Sequence, residues 1–264
     1  MSYGFRTGGW GRPSYRSSGG WGGFGWTITP AVKVLILANA GVFVLTALLG
    51  AFSPRSQQLF FQWFGLVPAD FLFRFRLWQP LTYLFLHGGF GHIFFNMLGL
   101  WMFGSALERN WGRRRFLRYY FLTGAGAGLL NVAASFVWGG PAPLLVTIGA
   151  SGALYGILLA FGVLYPHTPI YLWFLFAIPA RIFVLIYGTL AFVSALSGPG
   201  SGISHVSHLG GMLFGYAYLR GDGLYYALRR RLRNWQVRQA RQKFEVYMRE
   251  PEDRDPPRPG RWVN

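Results

Sequence analysis

Cysteine is absent from all 264 residues. No disulfide framework and no thiolate zinc site is available, and cysteine usage says nothing about compartment. Charge is also scarce, at 12% of residues, roughly half of what an ordinary soluble domain carries. Acids are the rarest class. There are eight: Asp70, Glu108, Asp222, Glu245, Glu250, Glu252, Asp253 and Asp255. None lies between Glu108 and Asp222. That gap excludes a pair of membrane aspartates, and it leaves a serine-histidine site there without a carboxylate partner. A His-Glu-x-x-His metalloprotease helix is missing too, so no metal site is expected. Residues 1–29 contain no compact apolar stretch followed by a small-residue cleavage site, so no removed signal peptide is expected.

Apolar residues are abundant, at 52%, with 19% aromatic. The expected fold is all-α: a polytopic membrane protein, a six-helix transmembrane bundle with a long interfacial loop between spans one and two. Three segments follow: a flexible basic Gly/Trp-rich tail over 1–29, a six-span domain over 30–221, and a basic amphipathic to disordered tail over 222–264. The spans fall near 34–52, 92–107, 116–138, 151–165, 181–196 and 205–219. Residues 53–91 mix Pro54, Pro68, Asp70, Arg74, Arg76 and Pro80 with aromatics, which suits an interfacial loop. Between spans four and five, Ile170 to Pro179 reads as an apolar connection, and Gly198 to Gly202 as a loop.

The net charge of +17 is uneven. Arginines precede span one, cluster at Arg109, Arg113, Arg114, Arg115 and Arg118, and return after Gly221. Six spans put both termini on one side together with that cluster, and the positive-inside rule makes that side cytoplasmic. The basic tails are expected to meet anionic lipid headgroups rather than nucleic acid. In the second tail, Leu224, Leu228, Leu232 and Trp235 recur at helical spacing among arginines, while Pro256 to Gly260 cannot form helix.

Polar groups inside a membrane are costly and point to function. His92 and Asn96 begin span two on one helix face, Ser151 heads span four, and His205 and His208 head span six. Spans two, four and six all start from the outer side, so these residues share one depth. Ser151 to Tyr165 makes only about 22 Å of helix, shorter than about 30 Å of hydrocarbon, which sets Ser151 below the outer surface. A serine and a histidine without an acid suit a Ser-His dyad, with histidine as general base. Asn96, His92 and the Ser151 backbone N–H are the candidate oxyanion donors. Between the two candidate bases, His208 is followed by Gly211 and Gly215 on its own face, and Gly152 and Gly156 offer a matching face on span four. That spacing favours His208 over His205. Tyr155, four residues after Ser151, is placed to pack on the histidine. Asn131 in span three reads as an interhelical hydrogen-bonding residue.

At these residues the chain resembles the rhomboid intramembrane serine proteases of the six-span bacterial type. The resemblance covers about 34–220 and is carried by Gly149-Ala150-Ser151-Gly152, by His208 with Gly211 and Gly215, and by His87, His92 and Asn96. The stretch from Glu108 and Arg109 to Phe116 resembles the junction of the second and third spans. The resemblance implies Ser151 as nucleophile and His208 as base. It implies that His92 and Asn96 help bind the oxyanion, that Tyr155 packs on His208, and that His87 is a structural loop histidine. It further implies a serine endopeptidase without cofactor, acting on transmembrane protein substrates in a bacterial inner or plasma membrane. Ser207 stands where the family often has alanine, and His205 is an additional histidine. A client-binding relative without catalysis and a histidine proton relay are the competing readings. The intact Ser151 and His208 argue against the first, and the missing membrane carboxylates against the second.

Overall fold

The computed structural model describes residues 27–172, 176–196 and 205–249. The expectations for the N-terminal tail up to residue 26, for Gly198 to Gly202 and for Pro256 to Gly260 lie outside the described residues. What is described is mostly helix and falls into two compact units, one ending at Leu219 and one beginning at Arg220.

Helix α1 (Pro30–Phe52) starts with proline in its first turn, where the missing N–H leaves no hydrogen bond unmade. Its free N-terminal amides are met from far along the chain. The buried Glu108 carboxylate accepts from Ala31 N at 2.9 Å, from Val32 N at 3.0 Å and from the Thr29 hydroxyl. An anion at a helix N-terminus satisfies both the orphan donors and the dipole. Arg109 adds a bond to the Thr27 carbonyl at 3.1 Å.

The expected loop between the first two spans is largely helical. It holds α2 (Pro54–Phe64), α3 (Pro68–Phe73) and α4 (Gln79–Thr82). The prolines that suggested a loop each sit in a helical first turn, a position that suits proline as well as a turn does. Ser53 caps α2 through Ser56 N, and Gln57 Nε2 ties α2 to the Thr46 carbonyl of α1 at 3.0 Å. Phase and charge then close the segment on itself. Phe75 adopts a left-handed φ of 52°, and Arg74 and Arg76 both reach Asp70, at 3.2 and 2.7 Å. Arg76 also lies over the Trp63 ring at 4.4 Å, and Trp63 stacks on Trp78.

A continuous helical run follows: α5 (Phe90–Gly99), a π-helical turn over Leu100–Gly104, and α6 (Ser105–Trp111). Gly112, at φ +78°, turns the chain into α7 (Arg113–Trp138). Helix α8 (Ser151–Leu164) is short and is packed closely against α7. The segment after it departs from the all-α expectation. Strands β1 (Pro169–Leu172) and β2 (Phe176–Pro179) pair antiparallel, with Ile170 opposite Ile178 and Tyr171 opposite Ala177. Proline, β-branched and aromatic residues dominate there, and such residues fit a pleated ribbon better than a helix. Helix α9 (Ala180–Leu196) and helix α10 (His205–Arg249) complete the described elements.

Among the described residues, three helices are long and apolar enough to cross a membrane: Pro30–Phe52, Phe90–Trp111 and Arg113–Val137. Ser151–Leu164 and Ala180–Leu196 are apolar and shorter. In the unit beginning at Arg220, Leu232 and Trp235 are 54% and 60% exposed.

Removing the Glu108 carboxylate strands two backbone donors and a hydroxyl in a buried position. Glu108→Ala is expected to lower unfolding free energy by about 2–3 kcal/mol, read as a lower thermal midpoint in detergent. Glu108→Gln, which keeps an acceptor, recovers part of the loss.

Candidate active site

The site is assembled by a close approach between α8 and the first turns of α10. Gly152 and Gly156 on α8 meet Gly211 and Gly215 on α10 almost backbone to backbone. A Cβ added at Gly211 would collide with the Gly152 carbonyl oxygen, and one added at Gly156 would lie 3.0 Å from the Gly211 carbonyl oxygen. Gly215 faces the Gly156 Cα and the Tyr119 hydroxyl. On the other side of α10, Gly210 sits against Ala127 of α7. The first turns of α10 are thus wedged between two helices, at a separation that only glycine on both faces permits.

That approach brings two expected residues together. His208 Nε2 lies 2.8 Å from Ser151 Oγ. Tyr155 covers the His208 ring face at 4.2 Å between centroids with the planes 2° apart, and Tyr187 of α9 lies behind Tyr155 at 6.5 Å. The stacking sets the plane of the His208 ring, in which Nε2 meets the serine. His205 is one turn earlier, edge-on to His208 with centroids 5.7 Å apart.

Ser151 is the first residue of α8, so its side chain is presented at a helix N-terminus, where the backbone donors are free. Two residues before it, Gly149 has φ +121°, a conformation that side chains strongly disfavour. The space is closed as well: a Cβ there would lie 2.6 Å from His92 Nε2. His92 therefore reaches the backbone next to Ser151. Asn96 is buried one turn further along α5. One of its amide hydrogens goes to the His92 carbonyl at 2.8 Å, and its Oδ1 has no hydrogen-bond partner. His87 lies in the preceding loop, buried, with its ring edge-on to His92 at 4.9 Å and neither nitrogen in hydrogen-bonding geometry with a protein atom.

Several residues that hold the loop before Ser151 carried little signal in the sequence. Tyr83 looked like one more aromatic of an interfacial segment. Its carbonyl accepts from Gly149 N at 2.9 Å, and its hydroxyl donates to the Gly124 carbonyl at 2.7 Å. Leu66 and Thr147 exchange backbone bonds in an isolated bridge. Asn131, expected to join two helices, donates to Thr147 Oγ1 of this loop at 2.9 Å. Residues 66 and 83 of the segment after α1 are thereby tied to the loop that precedes Ser151. No sequence spacing announces such contacts, because the partners are 66 residues apart in Tyr83–Gly149 and 81 in Leu66–Thr147.

A family model for the rhomboid domain matches residues 74–223, more than half of the chain. The chain is 38% identical over 147 residues to the rhomboid protease GluP of Bacillus subtilis, covering 56% of this chain and 26% of GluP. It is 33% identical over 139 residues to the mitochondrial rhomboid protein 1 of Saccharomyces cerevisiae, covering 51% of this chain and 38% of that protein. It is 34% identical over 147 residues to the putative rhomboid protease YdcA of Bacillus subtilis, covering 53% of this chain and 64% of YdcA. The chain thus spans between about a quarter and two thirds of the length of these relatives.

Two outcomes follow from the packing. Gly211→Ala forces α8 and α10 apart and is expected to destabilise by about 1–3 kcal/mol, measured as a lower thermal midpoint; an alanine at Gly221, which has open space around it inside a helix, does not lower the midpoint. The second concerns pH. Burial first, and His92 second, push His87 down from an ordinary 6.5 to about 4. Between those two values the unfolded chain binds the extra proton and the folded chain does not. Stability from this group is therefore fully present above about pH 6.5 and falls as pH drops towards 4. His87→Leu is expected to flatten that part of a midpoint-against-pH curve; an unchanged slope would assign it to other groups.

Proposed function

The chain belongs to the rhomboid family, and from that premise we propose that it is an intramembrane serine endopeptidase, cutting transmembrane segments of other proteins with Ser151 as nucleophile and His208 as general base. The observation that carries this reading is the 2.8 Å contact between His208 Nε2 and Ser151 Oγ. In the first step His208 takes the serine proton while Oγ attacks the scissile carbonyl. The oxyanion that forms is met by the Ser151 backbone N–H, by His92 and by the remaining amide hydrogen of Asn96. His208 then gives its proton to the leaving amine, and the acyl-enzyme remains on Ser151. Water enters and attacks the acyl carbon as it loses a proton to His208, which returns that proton to Ser151 Oγ as the second product leaves.

The fold's finer assignment belongs to the same proposal. In it Phe90–Trp111, Ser151–Leu164 and the start of α10 cross the membrane in one direction and α1, α7 and α9 in the other, a six-span alternation with 30–221 as the protease domain. The arginines around Gly112 and those after Arg220 then face the cytoplasm of a bacterial inner or plasma membrane with both termini, and the basic tails over 1–29 and 222–264 meet anionic headgroups. Helix α8 supports the reading by being short: 14 residues make about 21 Å, which leaves Ser151 below the surface of about 30 Å of hydrocarbon. Substrates that unwind easily, with glycine or proline near the membrane edge, suit such a recessed nucleophile.

A fluorophosphonate probe on the full chain, with a tagged transmembrane reporter as substrate, tests the proposal. Wild type is expected to be labelled at Ser151 and to cleave the reporter. Ser151→Ala abolishes both, and His208→Ala lowers both by about a thousandfold or more. A wild type that binds reporters but is never labelled would instead be a client-binding protein. Cleavage surviving in Ser151→Ala would end the serine-protease reading.

A further inference from the structure

For Nε2 of His208 to accept the Ser151 proton, the neutral ring must carry its own proton on Nδ1. That nitrogen is buried and has no hydrogen-bond partner. The need grows during reaction, because the ring becomes an imidazolium and Nδ1–H then bears positive charge in an apolar, weakly screening surrounding. Serine sites commonly place an acceptor on this nitrogen to orient the ring and stabilise its charged form. Here no acid lies in sequence between Glu108 and Asp222, and Glu108 is committed to the start of α1.

Among the described residues, the groups around the His208 ring are few. Ser151 of α8 is on Nε2, and Tyr155 of α8 is parallel to the ring face, an orientation that offers no in-plane acceptor. His92 of α5 lies on the Gly149 side of the serine, and Tyr187 of α9 lies behind Tyr155. His205 remains, three residues before His208 on the same helix and hence on the same face. Its ring stands at 79° to His208 with centroids 5.7 Å apart. A neutral imidazole has one acceptor nitrogen, and the two rings are separated by a gap that one side-chain rotation or one bridging water closes. His205 is partly exposed, so water reaches it.

We propose that His205 is a positioning residue that accepts the Nδ1–H of His208, directly or through one water, making Ser151, His208 and His205 a chain of three. This rests on the Ser151–His208 reading above. Proton bookkeeping is simple. The serine proton moves to Nε2 and later to the leaving amine, while the Nδ1 proton stays on His208 throughout and is only shared with His205. The sequence's extra histidine thereby takes the place that a carboxylate holds in a Ser-His-Asp site.

The test compares the full chain with His205→Phe and His205→Gln, reading the rate of fluorophosphonate labelling and reporter cleavage from about pH 5 to about pH 9. Phenylalanine keeps the ring's bulk without an acceptor; glutamine restores an acceptor. His205→Phe is expected to lower kcat at least about tenfold with KM held within about twofold, and to shift the lower limb of the pH profile. His205→Gln recovers most of kcat. Equal thermal midpoints for all three proteins exclude a folding defect. The proposal is overturned if His205→Phe matches wild type, or if both variants lose kcat equally, which would mean packing alone. In either case labelling of Ser151 that depends on His208 leaves the protease reading standing. Loss of labelling in wild type would end that reading first.

Discussion

The contact between the Gly152–Gly156 face of α8 and the Gly211–Gly215 face of α10 is the constraint on which the site depends. Two helices normally keep 8–10 Å between axes because side chains stand between them. Here the Gly211 backbone meets the Gly152 carbonyl with nothing between. The distance from Ser151 to His208 is set by this contact, since each residue is one turn or less from the glycines of its own helix. Tyr155 adds the orientation and glycine the distance. Neither would be sufficient alone: a stacked ring on a distant helix reaches nothing, and a near helix with a mobile ring holds no fixed angle.

The loop before Ser151 is held from outside the bundle's central pair. Tyr83 accepts from Gly149 N, Leu66 pairs with Thr147, and Asn131 bonds the Thr147 hydroxyl. The segment that supplies Leu66 and Tyr83 is itself closed by Asp70 with two arginines, by Arg76 over Trp63 and by Gln79, whose amide donates to Gln62 and accepts from Val67. Irregular backbone is tolerated at such a place only if its polar groups are met inside the protein. The short helices and their side-chain bonds do that, and they give Gly149 a rigid frame.

Only two acids, Asp70 and Glu108, occur between residues 27 and 219, and both are matched. Glu108 serves the start of α1 and Asp70 serves two arginines. Around Ser151 the polar work falls to neutral groups: imidazoles, an amide, phenols and backbone. That choice fits an apolar setting, where an unpaired carboxylate would be far costlier to bury than a neutral ring.

Much of this was legible in the chain itself. Apolar runs of sufficient length, the glycine spacings on two helices, and polar residues at matching ends of three runs depend only on helical periodicity, and periodicity is a local property. Family membership was legible for the same reason, through short motifs. The prolines of 53–91 were ambiguous, because one residue type serves both a helix start and a turn, and the Ile170–Pro179 hairpin was missed because a short apolar run does not declare its period. What tertiary structure decided were the partners: which helix Gly211 meets, which nitrogen of His208 lies on Ser151, and which carbonyl Gly149 answers to. Those contacts join residues dozens of positions apart, and their geometry exists only once close packing has chosen a single arrangement.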